Sequence, residues 1–368
     1  MKFIKKFAVK LFWIISRILL PKKNYDPIYI YEFIKSKECK ILNFQELIWS
    51  FRHGFLPYEY IWYELPKNDY RNYIPALNDF KKRTLIGNYS SILSNKILFE
   101  KHISSRIKGF PHLHVVESIG FIEHGSLFSL NKAVLPGKFS SLIPFLERTD
   151  LVLKPISGHK GEGVIFLKKN KNDYYLNNKL INWDELISVF ENLKNYLIQE
   201  KFNQKGISNE IFPDSLNTIR VATMIDPVTQ KAFIAYATHR FGSLKSGSLD
   251  NIVQGGIAAL VDINSGKLSP GISFTNTGKK ETYESHPQSN KPIFKEVIPN
   301  WSTLTKSFLE VIQSMPYLKY VGWDLIFSNE ELYILEGNIS PNLGLVQVFK
   351  PMTEFPPAWN FFKYYEYV

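Results

Sequence analysis

Two carboxylates and one amide come together on a hairpin that the sequence predicts between residues 320 and 347. Two runs rich in Val, Ile, Leu, Tyr and Phe flank a polar turn, as expected for paired strands. If residues 329–331 form a three-residue loop, Asp324 falls opposite Glu336 on the neighbouring strand. Asn338 follows on the same face because side chains in a strand alternate with a period of two. The predicted hairpin therefore gathers three oxygen-bearing side chains on one face.

The same register collects apolar side chains on the other face, where Leu325 faces Leu335 and Phe327 faces Tyr333. A loop one residue longer would scramble this set and separate the two acids. Two carboxylates that face each other repel, and a hard cation between them removes that cost. Asp, Glu and Asn oxygens suit Mg²⁺, with phosphate oxygens and water completing its shell. The alternative interpretation is a solvated polar face on an edge hairpin.

A second stretch, residues 151–164, has the composition of a phosphate-binding loop between two strands. The first strand ends in Lys154, which supplies a point charge. Small residues follow it at Ser157, Gly158, Gly161 and Gly163. Glycines allow backbone N–H groups to approach a phosphate closely. The stretch lacks Gly-Lys-Ser/Thr and a helix directly after it, so it is not a P-loop. It predicts either a flap over phosphates or a plain hairpin turn.

Further polar groups lie between these two stretches along the chain. A predicted strand ends in a polar hinge whose backbone can meet an adenine edge. The hinge comprises Gln199, Glu200, Lys201 and Phe202. Arg220 lies on the next predicted strand, and its guanidinium suits bidentate contact with an oxyanion. Arg240 begins a polar, glycine-containing loop that runs to Gly256, which is either a substrate-facing loop or an ordinary solvent loop.

Composition narrows the class of protein. The chain has 368 residues, with 45 Lys and Arg against 34 Asp and Glu and a net charge of +11. A basic balance favours polyanionic partners such as nucleotides, nucleic acid or an anionic membrane surface. The lysines are dispersed and no single-strand stacking motif accompanies them, so we expect no nucleic acid partner. The single cysteine, Cys39, excludes an internal disulfide and a zinc site of Cys type, which fits a reducing, cytoplasmic compartment.

Residues 1–24 predict a basic amphipathic helix. Apolar side chains recur at helical spacing with lysines between them, and Pro21 ends the pattern. Lys10 and Arg17 interrupt the apolar run, so it is too short and too charged to span a bilayer. No small-residue cleavage site follows it, which argues against a secretory signal. Either residues 1–20 make a peripheral contact with the inner membrane face, or the apolar stripe packs on the protein itself.

Hydrophobic spacing divides the remaining chain into a helical part and a mixed part. Residues 25–95 show helical periodicity punctuated by prolines. Residues 96–202 mix strands with helices, one of which starts at a capping box that Asn182 and Glu185 form. Residues 203–368 are mostly strands. Three further elements are a helix at Leu77–Phe99, a strand at His114–Ile119 and a helix at Lys138–Glu147. We therefore expect an α+β protein with an N-terminal helical region and two subdomains.

The order of these stretches resembles the ATP-grasp superfamily over roughly Asn95 to Lys350. More narrowly, the chain resembles the sugar-transfer-associated ATP-grasp group in four motifs, Asn217-Thr-Ile-Arg220-Val, Asp250-Asn251 with Gly255-Gly256, Gly322-Trp323-Asp324, and Glu336-Gly-Asn338. The set in this order is specific, although no single motif is. In that superfamily two α+β subdomains clasp ATP between them. The resemblance therefore implies an ATP-grasp fold, with ATP and Mg²⁺ as cofactors.

The resemblance also implies roles for individual residues. Lys96 and Lys154 would bind the α- and β-phosphates beneath the loop at residues 158–163. Glu200 and Phe202 would lie at the adenine hinge. The magnesium ligands would be Asp324, Glu336 and Asn338.

Three features depart from the superfamily pattern. Lys96 follows Asn95, where the superfamily often has Asp. An acidic ribose ligand usually follows the hinge, and Glu210 and Asp214 both qualify. The helical region stands where the superfamily usually has an N-terminal α/β subdomain, so we expect a different mode of acceptor binding.

These expectations combine into an ATP- and Mg²⁺-dependent, ADP-forming ligase that joins a carboxylate to an amine or other nucleophile through an acylphosphate. The acceptor would be a small molecule or glycan precursor in surface polysaccharide synthesis. Lys154, Arg220 and Arg240 would stabilise charge on the transferring group, since such chemistry depends on positioning and electrostatics. Two alternatives remain, a phosphotransferase acting on a sugar hydroxyl and a nucleotide-binding scaffold without turnover.

Overall fold

The computed structural model describes residues 26–81, 85–158, 162–247, 249–275, 278–339 and 341–368. The helices are α1 (Pro27–Lys35), α2 (Phe44–His53), α3 (Pro57–Trp62), α4 (Ala76–Lys81), α5 (Ser90–Ser94), α6 (Lys96–Arg106), α7 (Ile143–Leu146), α8 (Trp183–Asn192), α9 (Ile207–Ile211), α10 (Trp301–Gln313), α11 (Gly344–Gln347) and α12 (Pro356–Tyr364). Short 3₁₀ helices lie at Lys37–Lys40, Tyr70–Asn72, Gly87–Tyr89, Phe139–Leu142, Ile252–Gln254 and Met352–Glu354.

The strands form two sheets. They are β1 (Leu113–Val115), β2 (Ser118–Glu123), β3 (Ser126–Ser129), β4 (Leu151–Pro155), β5 (Ile165–Asn170), β6 (Asp173–Leu176), β7 (Lys179–Ile181), β8 (Tyr196–Glu200), β9 (Ile219–Ile225), β10 (Ala232–Phe241), β11 (Ile257–Val261), β12 (Gly271–Phe274), β13 (Lys280–Tyr283), β14 (Tyr320–Ser328) and β15 (Glu331–Ile339). The larger sheet has the order β1-β15-β14-β9-β10-β11-β12-β13, and the smaller has β3-β2-β8-β4-β5-β6-β7. The mixture of helices and sheets confirms the α+β class.

Strand β14 lies inside the larger sheet between β9 and β15, and each of its residues is buried. One of its faces, with Trp323 and Leu325, joins a core that helix α10 covers through Trp301 and Phe308. Helix α10 presents its buried residues along one stripe, as expected for an amphipathic helix on a sheet. A sheet packed in this way holds the residues on the opposite face of β14 in fixed positions.

The smaller sheet packs its own core against helix α8, which buries Leu186 and Phe190. Asn182 caps this helix, and Glu185 reaches back to the backbone N–H of Asn182, so the predicted capping box is confirmed. Strands β4 and β8 pair antiparallel at the centre of the sheet. They carry Lys154 and the start of the hinge.

The helical region from Pro27 to Lys81 attaches to the chain that follows the β14–β15 hairpin. The buried Gln347 side chain accepts from Ile74 N at 2.8 Å and donates to Ile74 O at 2.9 Å. It also donates to the Tyr63 hydroxyl at 3.2 Å. The Asn342 amide meets the Tyr58 hydroxyl at 3.4 Å. Polar contacts therefore tie this region to the segment directly after the two acids and the amide of the hairpin.

The turn of the β14–β15 hairpin differs from the predicted one. Ser328 pairs with Glu331, so the loop has two residues, and the predicted three-residue loop is wrong. Asn329 and Glu330 both have positive φ, at 51° and 63°, which is the backbone of a type I′ turn. The surplus residue that the shorter turn excludes is Leu335, which forms a bulge in β15 without a partner on β14.

This bulge changes the predicted apolar pairs but keeps the polar one. Leu325 pairs with Ile334 rather than Leu335, and Phe327 pairs with Leu332 rather than Tyr333. The reason is that a two-residue turn matches the right-handed twist of the strands, which moves the surplus residue into β15.

Three other predicted elements are divided in the structure. The helix expected at Leu77–Phe99 breaks into α4, a 3₁₀ turn, α5 and the start of α6. The helix expected at Lys138–Glu147 is a 3₁₀ turn followed by the four-residue α7. The strand expected at His114–Ile119 divides between β1 and β2, which belong to different sheets. The helix and strand propensities of the sequence identified these segments, whereas tertiary packing determined where each one is interrupted.

The predicted domain limits stay a prediction. Within the range 96–202, helix α6 and strand β1 pack with the larger sheet through Phe99, Ile103 and Leu113. The helix expected at residues 1–24 lies outside the described residues. In the ranges that the structure does describe, no helix is both long and apolar enough to cross a membrane.

Candidate nucleotide and metal site

The β14–β15 hairpin brings the predicted metal ligands together. Asp324 pairs directly with Glu336, and Gly322 pairs with Asn338, so all three polar side chains lie on one face. The Asn338 amide nitrogen lies 3.4 Å from Asp324 Oδ2 and 3.5 Å from Glu336 Oε1. The predicted cross-strand pair of acids is therefore confirmed, although the turn that produces it is different.

Arg220 and Arg240 reach the same carboxylate from neighbouring strands. Arg220 lies opposite Asp324 in the β9–β14 register, and its Nε and Nη2 donate to Oδ1 and Oδ2 at 2.5 and 3.0 Å. Arg240 Nη2 lies 3.2 Å from Asp324 Oδ1. The three side chains are at most 14% exposed. Two arginines thus converge on one buried acid, and the bidentate fork of Arg220 fixes its orientation.

These arginines determine the charge of Asp324. Burial opposes ionisation of this carboxyl, but Arg220 and Arg240 outweigh it and hold its pKa well below the usual range. Burial likewise disfavours the Arg220 cation, and Asp324 more than compensates, so the pKa of Arg220 is raised. Asp324 is consequently ionised at neutral pH and already has counter-charges.

Glu336 has the opposite balance. Burial raises the pKa of Glu336, and the neighbouring Asp324 charge raises it further, while Lys154 and Lys96 act against both. Burial lowers the pKa of Lys154 to about 8, although Glu336 favours its charged form. Burial also lowers the pKa of Lys96. The charges of Glu336, Lys154 and Lys96 are therefore only partly compensated within the protein. Such incomplete compensation is expected at a site that binds an ionic ligand.

The donor set fits a magnesium ion. Glu336 and Asp324 supply carboxylate oxygens, and each carboxylate oxygen has two lone pairs, so the Arg220 fork leaves acceptor capacity on Asp324. In the described ranges no three His, Cys, Asp or Glu side chains gather as a metal site, so the third protein ligand would be an amide. Asn338 now directs its nitrogen at both acids and must turn its oxygen inward to serve as that ligand.

The predicted phosphate loop begins beside the lysines. Lys96 Nζ donates to the Gly158 carbonyl at 3.3 Å, and the Lys96 backbone N–H donates to Ile156 O at 3.1 Å. Gly163 has a φ of +75°, and a Cβ there would lie 3.0 Å from the Tyr196 hydroxyl, so this position requires glycine. Ser157 is exposed. Gly161 lies outside the described residues.

The predicted adenine hinge is built largely from side chains with partners in the protein. Gln199 donates to Val116 O at 2.9 Å and to Ser118 Oγ at 3.1 Å. Glu200 pairs with Arg148 at 2.6 Å, and Lys201 pairs with Asp150 at 3.3 Å. The Phe202 ring packs edge-on against Tyr333 of β15, with centroids 4.7 Å apart. The Lys201 backbone N–H also donates to Asp150 O at 2.8 Å, so the polar side chains of the hinge and this backbone donor already have partners in the protein.

The two acids proposed as ribose ligands are both exposed. Glu210 lies on the short helix α9, and Asp214 follows it. Exposure therefore does not distinguish which of these two acids would bind a ribose.

Thr218 and Asp250 belong to the site but were not predicted as partners of Arg240. Asp250 Oδ2 accepts from the Thr218 N–H at 2.9 Å and from its hydroxyl at 2.5 Å. Arg240 donates to the Thr218 hydroxyl and lies 3.5 Å from Asp250. Thr218 stands two positions before Arg220, hence on the same strand face, and this spacing was the available sequence signal.

The sequence model of the sugar-transfer associated ATP-grasp family matches residues 76–354. No curated protein matches the chain.

Solved structures that resemble the chain share little sequence with it. One is the ADP complex of purK, N5-carboxyaminoimidazole ribonucleotide synthetase, with 10% identity over 69% of this chain and a TM-score of 0.37. Another is VanG D-Ala:D-Ser ligase from Enterococcus faecalis, with 10% identity over 76% and a TM-score of 0.41. D-Alanine-D-alanine ligase from Helicobacter pylori has 12% identity over 74% and a TM-score of 0.38. The matches cover 46%, 63% and 61% of those chains, so this chain spans about half to two thirds of their length.

Proposed function

Because the chain belongs to the sugar-transfer associated ATP-grasp family, we propose that it is an ATP- and Mg²⁺-dependent ligase of glycan biosynthesis. It would join a carboxylate to an amine or another nucleophile and release ADP and phosphate. The observation that carries the proposal is the pairing of Asp324 with Glu336 beside Asn338. The charges of Lys96 and Lys154 act on the same Glu336 carboxylate. This arrangement supports a site for a metal-bound polyphosphate.

The proposed reaction has two steps. A carboxylate oxygen of the first substrate attacks the γ-phosphorus of ATP, the bond to the β,γ-bridging oxygen breaks, and ADP leaves. The nucleophile then attacks the carbonyl carbon of the acylphosphate, and inorganic phosphate leaves with the bonding pair. An amine loses one proton to solvent or to a base in this step.

The chain's own residues contribute positioning and charge. Lys96 and Lys154 neutralise phosphate oxygens, and a nearby phosphate would raise the pKa of Lys154, which burial lowers to about 8, and so favour the charged form of this lysine. Arg220 fixes the orientation of Asp324. Arg240 lies near the end of β10, before the polar loop, and would meet the transferring phosphate or the acceptor. When bound at Asp324, Glu336 and Asn338, magnesium supplies charge neutralisation of the phosphate oxygens.

The test is a screen of ADP and phosphate release with pairs of acids and amines or glycan precursors, using Glu336→Gln as the inactive variant. Glu330→Gln, at the exposed turn of the same hairpin, is the matched control. We expect ADP and free phosphate only when both substrates are present, from the parent and from the control. Equal ADP release by parent and Glu336→Gln would refute the site.

The same screen separates the alternatives. Transfer of phosphate to a single acceptor without free phosphate would indicate a phosphotransferase. Nucleotide binding without turnover on any substrate pair would favour a scaffold. We place the protein in the cytoplasm as part of this proposal, since its substrate ATP is there.

A further inference from the structure

Asp250 belongs to the polar loop after β10 but folds back onto the site. Its Oδ2 accepts from the Thr218 N–H at 2.9 Å and from the Thr218 hydroxyl at 2.5 Å. The same oxygen lies 3.5 Å from Arg240 Nε, and the Asp250 side chain is only 14% exposed. Burying a carboxylate is costly unless charged and hydrogen-bonding partners compensate it. Asp250 is therefore part of the wall of the site and not a solvated loop residue.

Contacts within the loop hold Asp250 in this position. Ser243 Oγ donates to Gly255 O at 2.7 Å and so joins the two ends of the loop. Gly255 has a φ of +99°, and a Cβ there would lie 2.7 Å from Lys245 Cβ, so this close approach requires glycine. These contacts do not involve Arg240. The loop therefore places the acid independently of the arginine that it meets.

Arg240 lies between two acids. Its Nη2 is 3.2 Å from Asp324 Oδ1, and its Nε is 3.5 Å from Asp250 Oδ2. The Thr218 hydroxyl accepts from Arg240 Nε at 3.1 Å and from Nη2, and it donates to Asp250. Among the described residues, these contacts occupy Nε and Nη2 of Arg240, which leaves its Nη1 hydrogens for a ligand. Thr218 thus links the charge of Asp250 to the orientation of the guanidinium.

A metal ion would disturb this balance of charges. Two cations and two anions form one buried group, which consists of Arg220, Arg240, Asp324 and Asp250. Magnesium bound at Asp324 would compete with Arg240 for that carboxylate and would place positive charge beside the guanidinium. Like charges at short range in a buried site repel strongly. Asp250 is the acid that would still hold Arg240 once the metal engages Asp324.

The position of Arg240 also indicates which phosphate it would meet. Lys96 and Lys154, the predicted ligands of the α- and β-phosphates, act on Glu336 of β15. Arg240 lies on β10, and strands β14 and β9 separate it from β15 in the sheet. A triphosphate that starts at the lysines and crosses the metal at Asp324 would therefore present its terminal phosphate to Arg240.

We propose that Asp250 is a positioning residue, which keeps Arg240 directed at the terminal phosphate of ATP when the metal occupies Asp324. Asp250 acts through its charge and through the Thr218 hydroxyl, and it does not touch the nucleotide itself. This role rests on the proposed nucleotide and metal site, because the metal creates the need for a second counter-charge. The polar loop after β10 thus serves the site by supplying that charge.

The experiment measures by calorimetry how tightly the full chain binds ADP and adenylyl imidodiphosphate, a non-hydrolysable ATP analogue, each with Mg²⁺. The ratio of the two affinities reports the contribution of the terminal phosphate, and a general loss of folded protein leaves this ratio unchanged. Asp250→Asn keeps the side-chain shape and an oxygen that can accept from Thr218, but removes the charge. Arg240→Gln, alone and combined with Asp250→Asn, tests whether the two residues act together. Asp226→Asn in the β9–β10 turn is the matched control, because Asp226 also accepts from backbone N–H groups. Circular dichroism establishes that each variant is folded.

We expect the parent to bind the analogue more tightly than ADP. Asp250→Asn and Arg240→Gln should each lower this preference by about tenfold, because each weakens a charged contact with the terminal phosphate. The double variant should lose no more than about twofold beyond Arg240→Gln, since Asp250 acts through the arginine. Thr218→Val removes the linking hydroxyl and should also lower the preference, which provides the test if Asp250→Asn does not fold. Asp226→Asn should match the parent.

Three results would overturn the role of Asp250 while the proposed nucleotide site stands. They are equal affinity of the parent for the two nucleotides, an unchanged preference in the folded Asp250→Asn or Thr218→Val variant, and losses that multiply in the double variant. A parent that binds neither nucleotide would instead refute the proposed function, and the role of Asp250 with it.

Discussion

The two predicted metal-binding acids should respond in opposite ways when each is replaced by its amide. In Asp324→Asn the guanidinium groups of Arg220 and Arg240 stay buried but lose their counter-charge. Removing one partner of a buried ion pair typically costs about 3–5 kcal/mol. We therefore expect Asp324→Asn to lower the free energy of unfolding by about 3 kcal/mol or more.

Glu336→Gln should leave stability almost unchanged or raise it. The pKa of Glu336 is raised by burial and by Asp324, which means that its ionised form is disfavoured in the folded protein. A group with a raised pKa removes stability as pH rises above its unfolded value, and the neutral amide avoids that loss. We expect the free energy of unfolding to change by less than about 1 kcal/mol or to increase, since each pKa unit corresponds to about 1.4 kcal/mol.

Both variants should nevertheless lose Mg²⁺-dependent ADP binding, measured by calorimetry. Stability is measured by equilibrium denaturant unfolding at about pH 7.5 without nucleotide, and each variant is compared with the parent protein. Equal destabilisation by the two substitutions would refute the assigned charge balance. Retained magnesium dependence in either variant would refute the ligand assignment.

Three further predictions concern buried polar groups away from the hairpin. Burial raises the pKa of Glu59 to about 8, so the stability of the parent protein falls as pH rises from the unfolded-state pKa of Glu59 to about 8. Over that window the free energy of unfolding of Glu59→Gln should rise relative to the parent by up to about 1.4 kcal/mol per pH unit. A difference between the two proteins that does not change with pH would contradict this. Burial lowers the pKa of His239 to about 3, so the folded protein loses stability as pH falls below about 6.5. In denaturant unfolding at a series of pH values, the free energy of unfolding of His239→Gln should fall less steeply with acidification than that of the parent. Gln347→Leu leaves the Ile74 N–H and C=O without their side-chain partner and should cost about 2–4 kcal/mol in denaturant unfolding, whereas a neutral effect would show that water replaces the amide.

Local patterns predicted much of the fold. The alternation around Asp324 and Glu336 identified a hairpin and the faces of its acids, because burial of one face constrains the register. Asn182 and Glu185 predicted the start of α8, because a capping box satisfies backbone donors within four residues. Both signals depend on interactions between residues close in sequence or on a single strand pair.

Contacts between distant segments could not be read in this way. Arg220 and Asp324 are 104 positions apart and meet because β9 and β14 are neighbours in the larger sheet. Strand β1 joins the same sheet as a parallel partner of β15, although the next strand, β2, belongs to the other sheet. Strand order follows from packing of the whole chain, which no single window of sequence contains.

The bulge at Leu335 shows how a correct pairing arose from an incorrect turn. Pairing Asp324 with Glu336 requires one residue more than a two-residue turn accommodates. Alternation of apolar and polar residues reveals that this surplus residue exists but not where it lies. The structure places it at Leu335, next to Glu336, because Asn329 and Glu330 form a tight turn with positive φ.

The position of the surplus residue has a consequence that deletion can test. A bulge increases local twist and re-aims the neighbouring side chain, so Leu335 helps to direct Glu336 towards Lys96 and Lys154. Deleting Leu335 leaves Glu336 opposite Asp324, since the ladder then continues without interruption. We expect such a variant to fold but to bind Mg²⁺ and ADP at least tenfold more weakly in calorimetry, about 1.4 kcal/mol. Unchanged affinity would mean that cross-strand pairing alone, without the bulge, orients the carboxylate.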